Sequence, residues 1–201
     1  MQRTLHRLII SGISILLGPV LQASISGQIY PMSQKRIFQS IDSELSYMAV
    51  RDITEDGNGF IWIATLKGLN KYDGYNITKF YAADGGLSSS CVESIEAIGK
   101  NVLIGTDKGV CIYDARDEKI LPVKYRKPVH VQDISLLDGN CAAIGTEDGL
   151  LIYDIRTRDI VQADTLAIYK MTVDPSGTLW TVNDNNIITY YPDGRRKRII
   201  S

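Results

Sequence analysis

IWIATLKGLNKYD (61–73), VLIGTDKGVCIYD (102–114), AAIGTEDGLLIYD (142–154) and LWTVNDNNIITYY (179–191) superimpose without a gap. Trp62, Leu103, Ala143 and Trp180 share one column, and Thr65, Thr106, Thr146 and Asn183 another. Gly68, Gly109, Gly149 and Asn186 form a third, and Tyr72, Tyr113, Tyr153 and Tyr190 a fourth. The tyrosines step by 41, 40 and 37 residues. A period near 40 marks a repeat architecture, in which each unit buries its apolar face only against its neighbours.

Each unit reads as four short strands. In the first, strand A covers about 49–54 and Glu55-Asp56-Gly57-Asn58-Gly59 is a turn. Strand B runs Phe60 to Thr65, and the Thr-x-x-Gly element reverses the chain, with glycine, or Asn186 in the fourth unit, supplying positive φ. Strand C runs Leu69 to Asp73, and Asp73-Gly74 turns into strand D, Ile77 to Tyr81. Runs of four to seven residues rich in Ile, Val, Thr, Tyr and Phe between Gly and Asp are strand signals that leave no room for helices. Four strands in about 40 residues is the spacing of a β-propeller blade.

The pattern begins before the first full unit. Phe38, Leu45, Val50 and Ile53 each match a residue 42 positions on, namely Phe80, Leu87, Val92 and Ile95. A lone outer strand is therefore expected at about 35–41, with blades at about 49–82, 91–126, 130–165 and 167–200. The last blade has its own fourth strand in RRKRII (195–200), so the early strand finds no vacant blade. The expected fold is all-β: about four four-stranded blades of a larger, incomplete ring.

Residues 1–28 read separately, as a signal peptide. Arg3 and Arg7 precede an apolar run from Leu8 to Leu21, and small residues follow at Ala23, Ser24, Ser26 and Gly27. The run is 14 residues, short of the ~20 that span hydrocarbon. Residues 29–201 then form the propeller portion and carry 20 basic and 23 acidic residues. A balance so close to neutral gives no electrostatic pull toward nucleic acid or an anionic membrane. Cys91, Cys111 and Cys141, an odd number in an exported chain, sit where other units place small or apolar residues, and they read as buried hydrophobes.

GFIWIAT (59–65) and GLNKYDG (68–74), preceded by Leu45-Ser46 and Asp56-Gly57-Asn58-Gly59, resemble the two-component regulator propeller repeat. The second and third units lack the tryptophan, and the fourth lacks the Thr and Gly. That family forms the periplasmic sensor region of hybrid two-component histidine kinases of polysaccharide-degrading gut bacteria. The resemblance implies a periplasmic ligand-sensing segment, probing for oligosaccharides, that acts through a C-terminal sensor and kinase part or a partner kinase. It also implies an inner-membrane anchor and a homodimer for the full-length relative. No kinase box surrounds His130, so neither kinase nor other catalytic activity is expected in this chain. The alternatives are a non-sensing protein-interaction propeller and a propeller lyase or glycosidase.

No catalytic residue, metal ligand, cofactor or binding residue is assigned from the sequence. Only His6 and His130 exist, and His130 opens a strand without a nucleophile motif, which favours a structural role. Asp117-Glu118 and Glu147-Asp148 are paired carboxylates in turns, where solvated acids are ordinary. Asp56-Gly57-Asn58-Gly59 and Asp184-Asn185-Asn186 fall short of calcium-loop spacing and read as hairpin turns. Asn76-Ile77-Thr78 is a sequon at a strand start, and Arg195-Arg196-Lys197-Arg198 reads as a charged edge strand. Recognition is expected on the face with the B–C turns and D–A connections. Leu66-Lys67, Asp107-Lys108, Glu147-Asp148, Asp184-Asn185 and the loop Ala83 to Ser89 lie there.

Overall fold

The computed structural model describes residues 44–184, 186–192 and 194–200. The signal peptide expected at 1–28 and the outer strand expected at 35–41 lie outside them. Among the described residues, sixteen strands form four antiparallel sheets, each in simple sequential order. The first blade is β1 (Val50–Glu55), β2 (Ile61–Thr65), β3 (Gly68–Tyr72) and β4 (Ile77–Phe80). The second is β5 (Val92–Ile98), β6 (Asn101–Thr106), β7 (Gly109–Asp114) and β8 (Lys119–Pro122). The third is β9 (Val131–Leu136), β10 (Cys141–Thr146), β11 (Gly149–Asp154) and β12 (Asp159–Asp164). The fourth is β13 (Lys170–Val173), β14 (Leu179–Asn183), β15 (Asn186–Tyr190) and β16 (Arg196–Ile200). A short 3-10 turn at Ala82–Asp84 leads into the loop expected at Ala83 to Ser89.

Local chemistry closes each hairpin. Thr65, Thr106 and Thr146 donate their hydroxyls to the carbonyls of Gly68, Gly109 and Gly149 at 2.8, 2.9 and 2.8 Å. Each hydroxyl oxygen also accepts the N–H two residues on. The fourth blade replaces this clamp with Asn186 Nδ2 donating to Asn183 Oδ1 at 2.9 Å. The expectation of positive φ at Asn186 fails, because the only non-glycine residues with positive φ among those described are Glu118 and Arg158. At the opposite end of the first three blades, Asp73, Asp114 and Asp154 accept the N–H groups of the C–D turn. Those backbone donors hold all three carboxyls below the ordinary aspartate value.

The first strands converge: β1 meets β5, β5 meets β9, and β9 meets β13. Three apolar layers fill the gaps between successive sheets. In the first layer Trp62, fully buried, stacks on Phe80 at 5.8 Å and meets Tyr113 at 4.5 Å. Leu103, Val131, Ile144 and Tyr153 belong to the second layer, and Ala143, Leu150, Ile168 and Leu179 to the third. Close approach of successive blades requires small residues in the column Ala64, Gly105, Gly145. A Cβ at Gly145 would lie 2.8 Å from Ile168, and one at Gly105 would collide with Val131. The same column carries Val182 in the fourth blade, where it is 43% exposed.

The four blades form an open arc rather than a closed ring. Trp180 is 37% exposed although its column mate Trp62 is fully buried. Ile53 is 60% exposed although Ile95 and Ile134, in equivalent positions, are 2% and 4% exposed. Each end of the arc thus leaves bare a face that is covered in the middle blades.

Candidate functional site

The face expected to carry recognition is built from the B–C turns and the connections between blades. Lys108, at the β6–β7 turn, Ser88, from the loop Ala83 to Ser89, and the connector 123–129 together line an open cavity of about 440 Å³. That volume falls within the range of small-ligand sites. The other tips on this face engage their neighbours. Lys67 Nζ sits 4.4 Å from the Tyr47 ring centroid. Asp148 pairs with Lys127 at 2.9 Å, and Tyr169 donates its hydroxyl to Asp184 at 3.3 Å. Asn185 lies outside the described residues.

Glu147 accepts from Gln132 Nε2 at 3.1 Å and lies 2.9 Å from His130 Nδ1. His130 is half-buried just before β9, and its Nε2 has no partner among the described residues. Asp117-Glu118 sits in the C–D turn of the second blade, at the opposite end from Glu147-Asp148, so the two carboxylate pairs are not brought together. Among the described residues no cluster of three or more His, Cys, Asp or Glu side chains is arranged to hold a metal ion.

Asp56 has a structural task that the sequence reading missed. Its Oδ1 accepts the N–H groups of Asn58 and Phe60, and its Oδ2 accepts the Trp62 indole N–H at 2.8 Å. Asp174 repeats this arrangement with Ser176, Thr178 and Trp180. The Ser176 hydroxyl, with the Trp180 indole, holds the Asp174 carboxyl down at about 2. A signal was present: an aspartate six residues before each tryptophan, and in neither of the units that lack one.

The cysteines depart from the sequence reading in two cases. Cys111 is buried, whereas Cys91 and Cys141 are only partly so. Burial and the Glu93 carboxylate push the Cys91 thiol up to about 11, which makes it a poor nucleophile. The sequon residues 76–78 lie at the entry to β4. In the basic run, Arg196 pairs with Asp164 at 2.9 Å, joining β16 to the third blade's last strand.

The inner strands are laced together by side chains. Asp52 accepts from the Ser94 hydroxyl and the Ile95 N–H, both at 2.9 Å. Ser94 Oγ accepts the Ile134 N–H at 3.1 Å, and Asp133 accepts the Met171 N–H at 2.8 Å. Each of the first three blades therefore satisfies a backbone donor on the next blade's edge strand. Glu96, half-buried beside this ladder, is pushed up to about 7 by desolvation and by the Asp52 and Asp133 charges.

Two further cavities lie between blades. One of about 680 Å³ separates the third and fourth blades and is lined by Leu137, Cys141, Ile152, Leu179 and Tyr191 among others. Another, of about 420 Å³, lies between the second and third blades, against Ile112, Leu121, Tyr153 and Arg158.

Residues 44–67 match the model of the family described as two component regulator propeller. No curated protein sequence matches the chain. The extracellular domain of BT4673 from B. thetaiotaomicron, described as a hybrid two component system, aligns with 26% identity and a TM-score of 0.66. That alignment covers 76% of this chain and 22% of that one, so the chain spans under a quarter of the structure it matches. Virginiamycin B lyase from Staphylococcus aureus aligns at 14% identity, TM-score 0.61, covering 75% of this chain and 55% of the lyase. PorZ of Porphyromonas gingivalis, a surface component of the type-IX secretion system, aligns at 16% identity, TM-score 0.60, covering 81% and 24%. The last two likenesses establish the propeller fold and nothing more.

Proposed function

We propose that this chain is a periplasmic ligand-sensing propeller segment of a two-component regulatory system, that it binds oligosaccharides, and that it performs no catalysis itself. The observation that carries this reading is the 26% identity, over 76% of the chain, to the extracellular domain of a protein described as a hybrid two component system. The regulator-propeller match at residues 44–67 supports it independently. So does the cavity formed where Lys108, Ser88 and the connector 123–129 meet on the expected recognition face.

Sensing without chemistry requires that ligand favour one arrangement of the blades over another. Clefts between blades suit that task, because a molecule bridging two sheets is sensitive to their separation. The reading includes action through a kinase, either in the same polypeptide or in a partner, and a homodimeric full-length protein. Thermal melting against a panel of neutral and acidic oligosaccharides tests it, since a ligand bound only by the folded state raises the melting temperature by mass action. A rise with at least one glycan and no product formed is the expected result. Glycan cleavage would instead favour a lyase or glycosidase, and a flat panel would favour a protein-interaction propeller.

A further inference from the structure

The connector from the second blade to the third concentrates positive charge on a chain that is close to neutral. Lys124, Arg126 and Lys127 crowd into four residues of the connector, and Lys108 faces them across the 440 Å³ cavity. Lys127 is neutralised by Asp148. Lys108 and Lys124 form no ion pair among the described residues, and Arg126 lies 5.7 Å from the Tyr125 ring centroid. All four cations are exposed. Glu147 and Asp148 of the β10–β11 turn are engaged by His130, Gln132 and Lys127, and Asp159 lines the adjoining 420 Å³ cavity.

The same connector leads into the neighbouring 420 Å³ cavity, because Val123 and Lys124 line both. There Arg158 adds a fifth cation, paired with Asp114 at 2.8 Å. Tyr153 lines this second cavity and is fully buried, yet its hydroxyl has no partner among the described residues. The other three tyrosines of its column are all satisfied. Tyr72 donates to the Gly74 carbonyl, Tyr113 accepts from Lys71, and Tyr190 donates to Asp164. Buried hydroxyls without protein partners are rare, and this one lies beside a cavity.

We propose that this groove binds an anionic oligosaccharide, with carboxylate or sulfate groups held by Lys108, Lys124 and Arg126 and a sugar hydroxyl reaching Tyr153. The proposal rests on the glycan-sensor reading above and names the ligand class for a groove that opens at that face and runs down the blades toward the C–D turns. Pyranose rings suit the half-buried Tyr125 ring and the valines of the cavity floor, and acidic substituents suit the uncommitted ammonium and guanidinium groups. A ligand long enough to reach from the Lys108 cavity into the Tyr153 cavity touches both blades at once and ties their spacing to occupancy.

Titration calorimetry on the full chain tests this with a tetragalacturonate, its fully methyl-esterified counterpart and a heparin-derived tetrasaccharide. The ester differs from the acid only in charge, and the third probe separates sulfate from carboxylate. The expected result is binding of at least one anionic probe, weakened by added salt, with the ester at least tenfold weaker than its acid if the carboxylate is the group read. The double variant K124A/R126A should weaken binding at least tenfold, while K197A on the fourth blade should leave it unchanged. Y153F should weaken it severalfold with no fall in melting temperature. Equal binding of acid and ester with no sulfate preference, or no effect of K124A/R126A, overturns the anionic groove. If no anionic probe binds but neutral oligosaccharides raise the melting temperature, the groove proposal falls and the sensor reading stands. If no glycan of any charge acts, both fall.

Discussion

The indole N–H of Trp62 donates to Oδ2 of Asp56 at 2.8 Å, inside a layer where the tryptophan is fully buried and the aspartate 4% exposed. The pair does two things at once. It closes the A–B turn, through the two further N–H groups that Asp56 accepts, and it fixes the ring that fills the first interblade layer.

Asp56→Ala should therefore destabilise the chain by about 2–3 kcal/mol, because three donors lose their acceptor in or near the core. Asp174→Ala, whose tryptophan stands at a bare face, should destabilise it clearly less. Urea unfolding of the two variants checks the order. Equal losses would show that burial of the pair is not what matters.

The two tryptophans should differ in solvent access. With Trp62 fully buried and Trp180 37% exposed, acrylamide should quench W62F, which retains Trp180, far more strongly than W180F. W180F should also emit at shorter wavelength. Similar quenching in both would mean that another surface covers the fourth blade in solution.

Glu96 gives a pH prediction with a definite sign. Its folded-state value of about 7 lies above the ordinary 4.5, so between those values the folded chain keeps a proton that the unfolded chain has lost. Its stabilising effect is complete below about 4.5, shrinks as pH rises through this window, and is gone above about 7. Glu96→Gln should remove that dependence. Because the side chain is half-exposed, the gain at pH 8 should be about 1–2 kcal/mol after allowance for solvent screening. Melting curves of wild type and variant at pH 5 and pH 8 test it, and an identical difference at both would exclude the charge as the cause.

Filling the third interface should stabilise the protein. In the first blade the residue aligned with Cys141 is Phe60, packed on the first layer beside Trp62. The third blade has Cys141 and Ala143 in those columns, and a cavity of about 680 Å³ lies there. Cys141→Phe should gain about 0.5–2 kcal/mol. A loss would show that the cavity wall cannot accommodate a ring.

Much of the fold was legible because propeller blades are local objects. Alternating strands, a Thr-x-x-Gly clamp and an aspartate after the tyrosine each act within a few residues, so the hairpins could be read directly from spacing. Long-range features were not legible. Nothing in the spacing of Asp52, Ser94 and Asp133 announces that each bonds to the next blade's backbone. The connector KYRKP (124–128) passed unnoticed for a different reason. Its charges gain meaning only when the chain folds Lys108 and Ser88 against them.

The amino-acid order alone determined the repeat, its strands and the resemblance to regulator propellers, since period and turn chemistry depend on neighbours in sequence. Tertiary structure decided which copies of a repeated residue are buried, which interfaces are full, and which cations share a groove. Trp62 and Trp180 occupy the same column and differ only in whether another sheet lies over them. The reason is physical: burial and electrostatic fields depend on distance in space, and residues some 40 positions apart come within contact range only after the blades have stacked.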